Sequence, residues 1–164
     1  MGRALRSRGT FAAWCAFSAD DREPTVLWAT LLDALRLASD GAHPEFEARL
    51  AVLRPSTAPK AHAKFLAQVQ RTLSDFGERV LLVIDDAHVI EGSDAEREFI
   101  EIVQNLPANV HFTFATRSPL QTQAARVSGR LIELTADSLS ITRAETAELF
   151  ARRGFEGSDT RAVL

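Results

Sequence analysis

"RVLLVIDDAH", residues 79–88, decides the fold. Val80 to Ile84 form an unbroken apolar run that ends on two adjacent carboxylates, Asp85 and Asp86, with His88 just beyond. An apolar run of this length without helical periodicity reads as a strand buried on both faces, as strands of parallel sheets are. In such sheets ligands gather at the carboxyl ends of the strands. Paired acids at that position therefore point to a cation and to whatever the cation holds.

The neighbouring segments support a parallel sheet. "FAAWCAF", residues 11–17, reads as a second buried strand that ends on Asp20 and Asp21, and "NVHFTFATR", residues 109–117, reads as a third. "LIELT", residues 131–135, reads as a short fourth. Helical patterns separate them. Leu27, Leu31 and Leu35 share one face of a helix opened by Pro24. A short helix and a Pro-rich loop follow over residues 43–59. Phe65, Val69, Leu73 and Phe76 line a second long helix, and Phe99, Ile102, Val103 and Leu106 a third. Ser93/Glu96 and Thr142/Glu145 have the spacing of capping boxes. Alternating strands and helices give an α/β fold with a parallel sheet between helical layers.

Composition bounds the function. The chain has 164 residues, 46% apolar and 25% charged, enough for one domain with a core. A net charge of −3 does not favour a nucleic-acid surface over the whole chain. The three arginines of "MGRALRSRG" read as a solvated, disordered terminus. Cys15 is the single cysteine, so it has no internal disulfide partner and reads as a small core residue. No apolar run approaches the ~20 residues of a membrane span, and a cytoplasmic protein is expected. Trp14 and Trp28 read as core residues, Asp21 as part of a turn, and His43, His62 and His111 as surface or packing residues.

Three strand ends carry polar groups: Asp20/Asp21, Asp85/Asp86 and Thr116/Arg117. Mg²⁺ prefers oxygen ligands and is held by one or two carboxylates together with water and phosphate. Asp85 suits that role. Asp86 beside it can orient or deprotonate a water, and Arg117 can meet a terminal phosphate. No Ser/His/Asp or Cys/His constellation supports an unrelated small α/β enzyme.

Taken together, the tryptophan strand, the Asp-x-x-Pro turn of Asp21 and Pro24, the acidic strand end, "NLPANVHFTFATR", "LIELT" and "DSLSITRAE" resemble the NTPase domain of MalT-like, large ATP-binding LuxR-family regulators. These belong to the STAND class of P-loop ATPases. The resemblance covers roughly residues 11–153 and implies a three-layer parallel sheet of the P-loop NTPase type. It implies Asp85 as the Walker B ligand of Mg²⁺, Asp86 as the second acid, and Thr116 and Arg117 as the nucleotide-facing residue and sensor arginine. ATP or ADP with Mg²⁺ would be the cofactors.

One element of that family is missing from these residues. The phosphate loop GxxxxGK[ST] cradles phosphate on backbone N–H groups and a lysine. Here no lysine follows a glycine, and Lys60 and Lys64 lie in a helix. The expectation is therefore an incomplete fold. Residues 1–9 would be a basic tail, 10–153 a partial NTPase-like domain, and 154–164 the start of a truncated helical region. Without the family's first strand, one edge of "NVHFTFAT" would be open. The chain would bind nucleotide weakly and not hydrolyse it alone, and DNA would be met only through a helix-turn-helix not present here. The alternative is a degenerate NTPase-like module that associates through the open edge with itself or a related regulator.

Overall fold

The structure is a computed structural model that describes residues 10–118, 120, 132–135 and 137–153. The described residues fall into two compact units, one ending at Leu120 and one beginning at Ile132. The expectations for residues 1–9, for residues 154–164 and for the piece between the third strand and "LIELT" lie outside the described residues or mostly so.

The first unit is a parallel sheet of three strands, β1 (Thr10–Ala16), β2 (Arg79–Asp85) and β3 (Val110–Phe114), in the order β1-β2-β3. Ala13, Leu82 and Phe112 are in register across it, as are Trp14, Val83 and Thr113. The β1–β2 crossover contains α1 (Pro24–Ser39), α2 (Pro44–Ala51) and α3 (Pro59–Ser74), and the β2–β3 crossover contains α4 (Asp94–Gln104). Each of α1, α2 and α3 opens on a proline, whose fixed φ and missing N–H cost nothing in a first turn. Helix α1 ends where Asp40 and Gly41 turn left-handed, with φ of 41° and 75°.

The helices cover one face of the sheet. Leu31 and Leu35 of α1, Val69 and Leu73 of α3 and Ile102 of α4 enclose Leu82 and Phe112. Phe99 of α4 meets the rings of Phe17, Phe112 and Phe114 edge-on. The cause is topological. Both crossovers step the chain in the same direction, and right-handed connections then place their helices on the same side. A second helical layer needs a reversal of strand order, and the described strands contain none.

This corrects the reading of Trp14. It lies on the opposite face and is 38% exposed, whereas Trp28 is 3% exposed in the core. Leu81 and Val83 on that face are only partly buried. His62 is also more than a packing residue. Its Nε2 lies 2.7 Å from Glu98 Oε2, and the Trp28 indole N–H donates to the other oxygen of Glu98. One carboxylate of α4 thus ties α1 to α3.

The third strand stops at Phe114, short of the expected span, because the chain turns at Thr116, whose hydroxyl donates to the Ser118 carbonyl. At the start of α4, Ser93 Oγ accepts from Glu96 N–H at 3.1 Å, as its spacing predicts. The Glu96 carboxylate reaches one residue further back than a capping box requires, to Gly92 N–H at 2.8 Å.

In the second unit the expected strand "LIELT" is not formed over residues 132–135, and Ile132 and Leu134 are 89% and 66% exposed. A short apolar alternation becomes a strand only where a partner pairs with it. Here Thr135 closes a local turn instead, its N–H donating to Ser138 Oγ at 2.7 Å. Helix α5 (Arg143–Arg152) follows. Its expected capping box is complete, with Glu145 N–H on Thr142 Oγ1 at 3.2 Å and Thr142 N–H on Glu145 Oε2 at 2.8 Å. The Glu145 carboxylate accepts from both the Thr142 N–H and the Thr142 hydroxyl, which holds its pKa below the usual value.

Candidate functional site

The parallel sheet brings the polar ends of its strands to one edge, as the sequence reading requires. Asp85 is the last residue of β2, and its exposed carboxylate accepts from the Asp86 N–H at 2.9 Å. Asp86 is left-handed, with φ of 53°, a conformation that aspartate tolerates better than most residues. The turn sends the chain into a 3-10 turn, Ala87–Ile90. Asp86 Oδ1 lies 3.5 Å from Arg117 Nη2 and 3.7 Å from His88 Nδ1. Asp86, Arg117 and His88 are thus neighbours in space, while the Arg117 side chain remains 80% exposed.

Thr116 is placed differently. Its hydroxyl is spent within its own turn on the Ser118 carbonyl, and Ser118 Oγ in turn donates to Glu91 at 2.5 Å. The hydroxyl is therefore engaged in shaping the loop that carries Arg117.

The third strand end is structural. Asp21 is 2% exposed and accepts from Ser18 N–H at 2.6 Å, Ser18 Oγ at 2.8 Å and Thr30 Oγ1 at 2.5 Å. It closes the turn between β1 and α1, as its reading as a turn residue anticipates. Arg22 beside it was not singled out by the sequence. Its guanidinium donates to the carbonyls of Val89 and Glu91, both at 2.9 Å, and so fastens the loop after Asp86 to the end of β1.

Cys15 is buried near the end of β1, and its thiol pKa is pushed up to about 12, first by burial and then by the charge of Asp21. The thiol is therefore no nucleophile in the folded chain. At pH 8 it should resist an alkylating reagent until urea unfolds the protein, and labelling followed by mass measurement checks this. The unfolded thiol loses its proton near pH 9 and the folded one near 12, so stability should fall as pH rises through that window. A Cys15→Ala variant should show less of this loss.

The donor set can be compared with the chemistry of cations. Among the described residues no three His, Cys, Asp or Glu side chains are grouped as a metal cage. One exposed carboxylate with a second beside it suits Mg²⁺, which keeps its waters and takes its remaining oxygens from a phosphate. Asp85 and Asp86 are the residues of this strand end that could serve such a complex. Among the described residues no helix is long and apolar enough to cross a membrane.

These features define a parallel α/β domain with an acidic cluster and an exposed arginine, paired with Asp86, at its strand ends. Over most of its length the chain is similar to the HTH-type transcriptional regulator MalT. It is 26% identical to that of Vibrio cholerae over 148 residues, 89% of this chain, and 27% identical to that of Serratia proteamaculans over 139 residues, 84% of this chain. The chain spans only 16% and 15% of the length of those curated relatives. No protein-family model matches it.

Proposed function

We propose that this chain is the acidic half of a Mg²⁺–nucleotide site within a MalT-type transcriptional regulator. In this reading Asp85 is the Walker B ligand of Mg²⁺, and Asp86 positions water. Arg117 senses the terminal phosphate, and Thr116 shapes the loop that presents it. The observation that carries the reading is the meeting of Asp85, Asp86 and Arg117 at adjacent parallel strand ends. Similarity to MalT over most of the chain supports the regulator assignment. When bound, Mg²⁺ would neutralise charge on the phosphates. Asp86 Oδ1 lies 3.5 Å from Arg117 Nη2, a pairing that would keep the guanidinium at the strand ends where a phosphate would be met.

Phosphoryl transfer rests mainly on positioning and charge stabilisation. The 164 residues hold no GxxxxGK[ST] segment to supply the backbone cradle and its lysine. The chain alone is therefore expected to bind Mg²⁺-ATP and Mg²⁺-ADP no tighter than about millimolar. Titration calorimetry on wild type and Asp85→Ala tests this. Micromolar binding lost in the variant would overturn the half-site view. Micromolar binding kept in the variant would overturn the role of Asp85. Paramagnetic Mn²⁺ with ATP should broaden amide signals of residues 85–88 and 115–118 first, and broadening centred elsewhere would sink the assignment.

A second reading, an association module, rests on β3. Among the described residues β3 pairs with β2 alone, so its other edge keeps unpaired N–H and C=O groups. A discrete oligomer in sedimentation, without nucleotide binding, would favour it.

A further inference from the structure

At the opposite end of the sheet, where the strands begin, lies a cavity of about 370 Å³ between α2 and the end of α3. This volume falls in the range of roughly 300–1,000 Å³ typical of small-molecule sites. Its floor is aromatic. Phe46 stacks on Phe76 with ring centres 4.1 Å apart, and His43 meets Phe76 edge-on at 5.0 Å. Phe11, the second residue of β1, backs the same cluster at 5.6 Å from Phe46. The cavity is thus built on packed rings rather than on a mobile surface.

Its rim is acidic. Glu45, Asp75 and Glu78 line it against a single arginine, Arg49. That arginine is already paired with Asp75 at 3.2 Å. Among the described residues the Glu78 carboxylate has only His43 Nδ1 as a basic group within 4 Å, at 3.9 Å and beyond hydrogen-bond reach, and Glu45 joins no ion pair. Thr72, 8% exposed, adds a hydroxyl to the wall. The faces of aromatic rings carry negative potential and attract ammonium and guanidinium groups. Carboxylates above such faces add charge-assisted hydrogen bonds. The same excess of acid repels phosphates and carboxylates, so the site is chemically opposite to the strand-end cluster at Asp85.

We propose that this cavity binds a small organic cation, an ammonium or guanidinium group on a short apolar stem. The stem lies against Phe76, with the buried Phe46 stacked behind it, and the cationic head meets Glu45 and Glu78. The rim side chains are half exposed, with Glu78 at 46%, so affinity is modest, a Kd on the order of 0.1–1 mM.

The test is an NMR titration of the full 164-residue chain with agmatine, which carries a guanidinium and an ammonium on a four-carbon stem. Glutarate and pentanol serve as the anionic and neutral counterparts. Saturable shifts at Phe46, Phe76 and Glu78 with agmatine alone are expected. The Glu45→Gln/Glu78→Gln double variant should weaken binding about tenfold or more. Asp85→Ala should leave it unchanged, which separates this site from the nucleotide reading. No saturation by about 10 mM would overturn the proposal. So would equal binding of pentanol or glutarate, or a double variant that binds like wild type.

Discussion

Phe99→Ala is expected to lower the unfolding free energy by about 3–5 kcal/mol. Phe99 is fully buried, and its ring holds the carboxyl end of the sheet from the helical side. It meets Phe17 just beyond β1, and Phe112 and Phe114 on β3, at ring-centre distances of 6.0, 5.4 and 6.3 Å. Truncation removes the transfer free energy of the ring and leaves a cavity that the three surrounding rings cannot close without moving. The same rings set where the end of β3, and with it Arg117, sits relative to Asp86. A variant that still folds should therefore also lose definition at residues 115–118. Urea denaturation measures the first effect, and amide exchange of those residues measures the second. A loss under about 1 kcal/mol would mean the site collapses freely around the missing ring.

The second large effect is at Asp21. Asp21→Ala removes the acceptor of three hydrogen bonds in a turn from which water is largely excluded. Ser18 N–H, Ser18 Oγ and Thr30 Oγ1 would lose a charged partner together, and a loss of about 2–4 kcal/mol is expected. Asp21→Asn should cost less, about 1–2 kcal/mol. Its oxygen can keep both Ser18 donors while its amide donates to the Thr30 hydroxyl, which can turn to accept. The order of the two variants in urea denaturation is the check. An Asn variant as weak as Ala would show that the charge, not the acceptor geometry, holds the turn. Neither change touches Asp85, so Mn²⁺ broadening should persist in the Asn variant.

Much of the first unit was legible because its strands are continuous apolar runs and its helices repeat leucine or phenylalanine at helical spacing. Val80 to Ile84 could hardly be anything but a central strand, and it pairs on both sides. What could not be read was which face of a strand lies under the helices. "FAAWCAF" is apolar at every position, so its alternation does not separate Trp14 from Cys15; strand order and crossover hand do. "LIELT" failed for a related reason, since pairing depends on a partner remote in sequence.

The site divides in the same way. That Asp85, Asp86 and Arg117 lie at one end of the sheet could be read from their places at strand ends, which parallel topology brings together. Arg22 escaped because its partners are backbone carbonyls of residues 89 and 91, and a carbonyl has no sequence signature. His62 and Glu98 escaped because 36 residues separate them and neither sits in a motif. The use of the Thr116 hydroxyl within its own turn was equally invisible, because threonine at that spacing suits a ligand or a loop alike.

The one-sided sheet also has an optical consequence. The chain has two tryptophans and no tyrosine, so its near-ultraviolet emission comes almost wholly from two indoles on opposite sides of the sheet. Trp28, buried and hydrogen-bonded to Glu98, emits from within the helical layer and reports on its integrity. Trp14, on the other face, is reachable by a collisional quencher and senses whatever comes to lie there. Each indole replaced in turn leaves a single-colour probe, one of the protein's interior and one of its company.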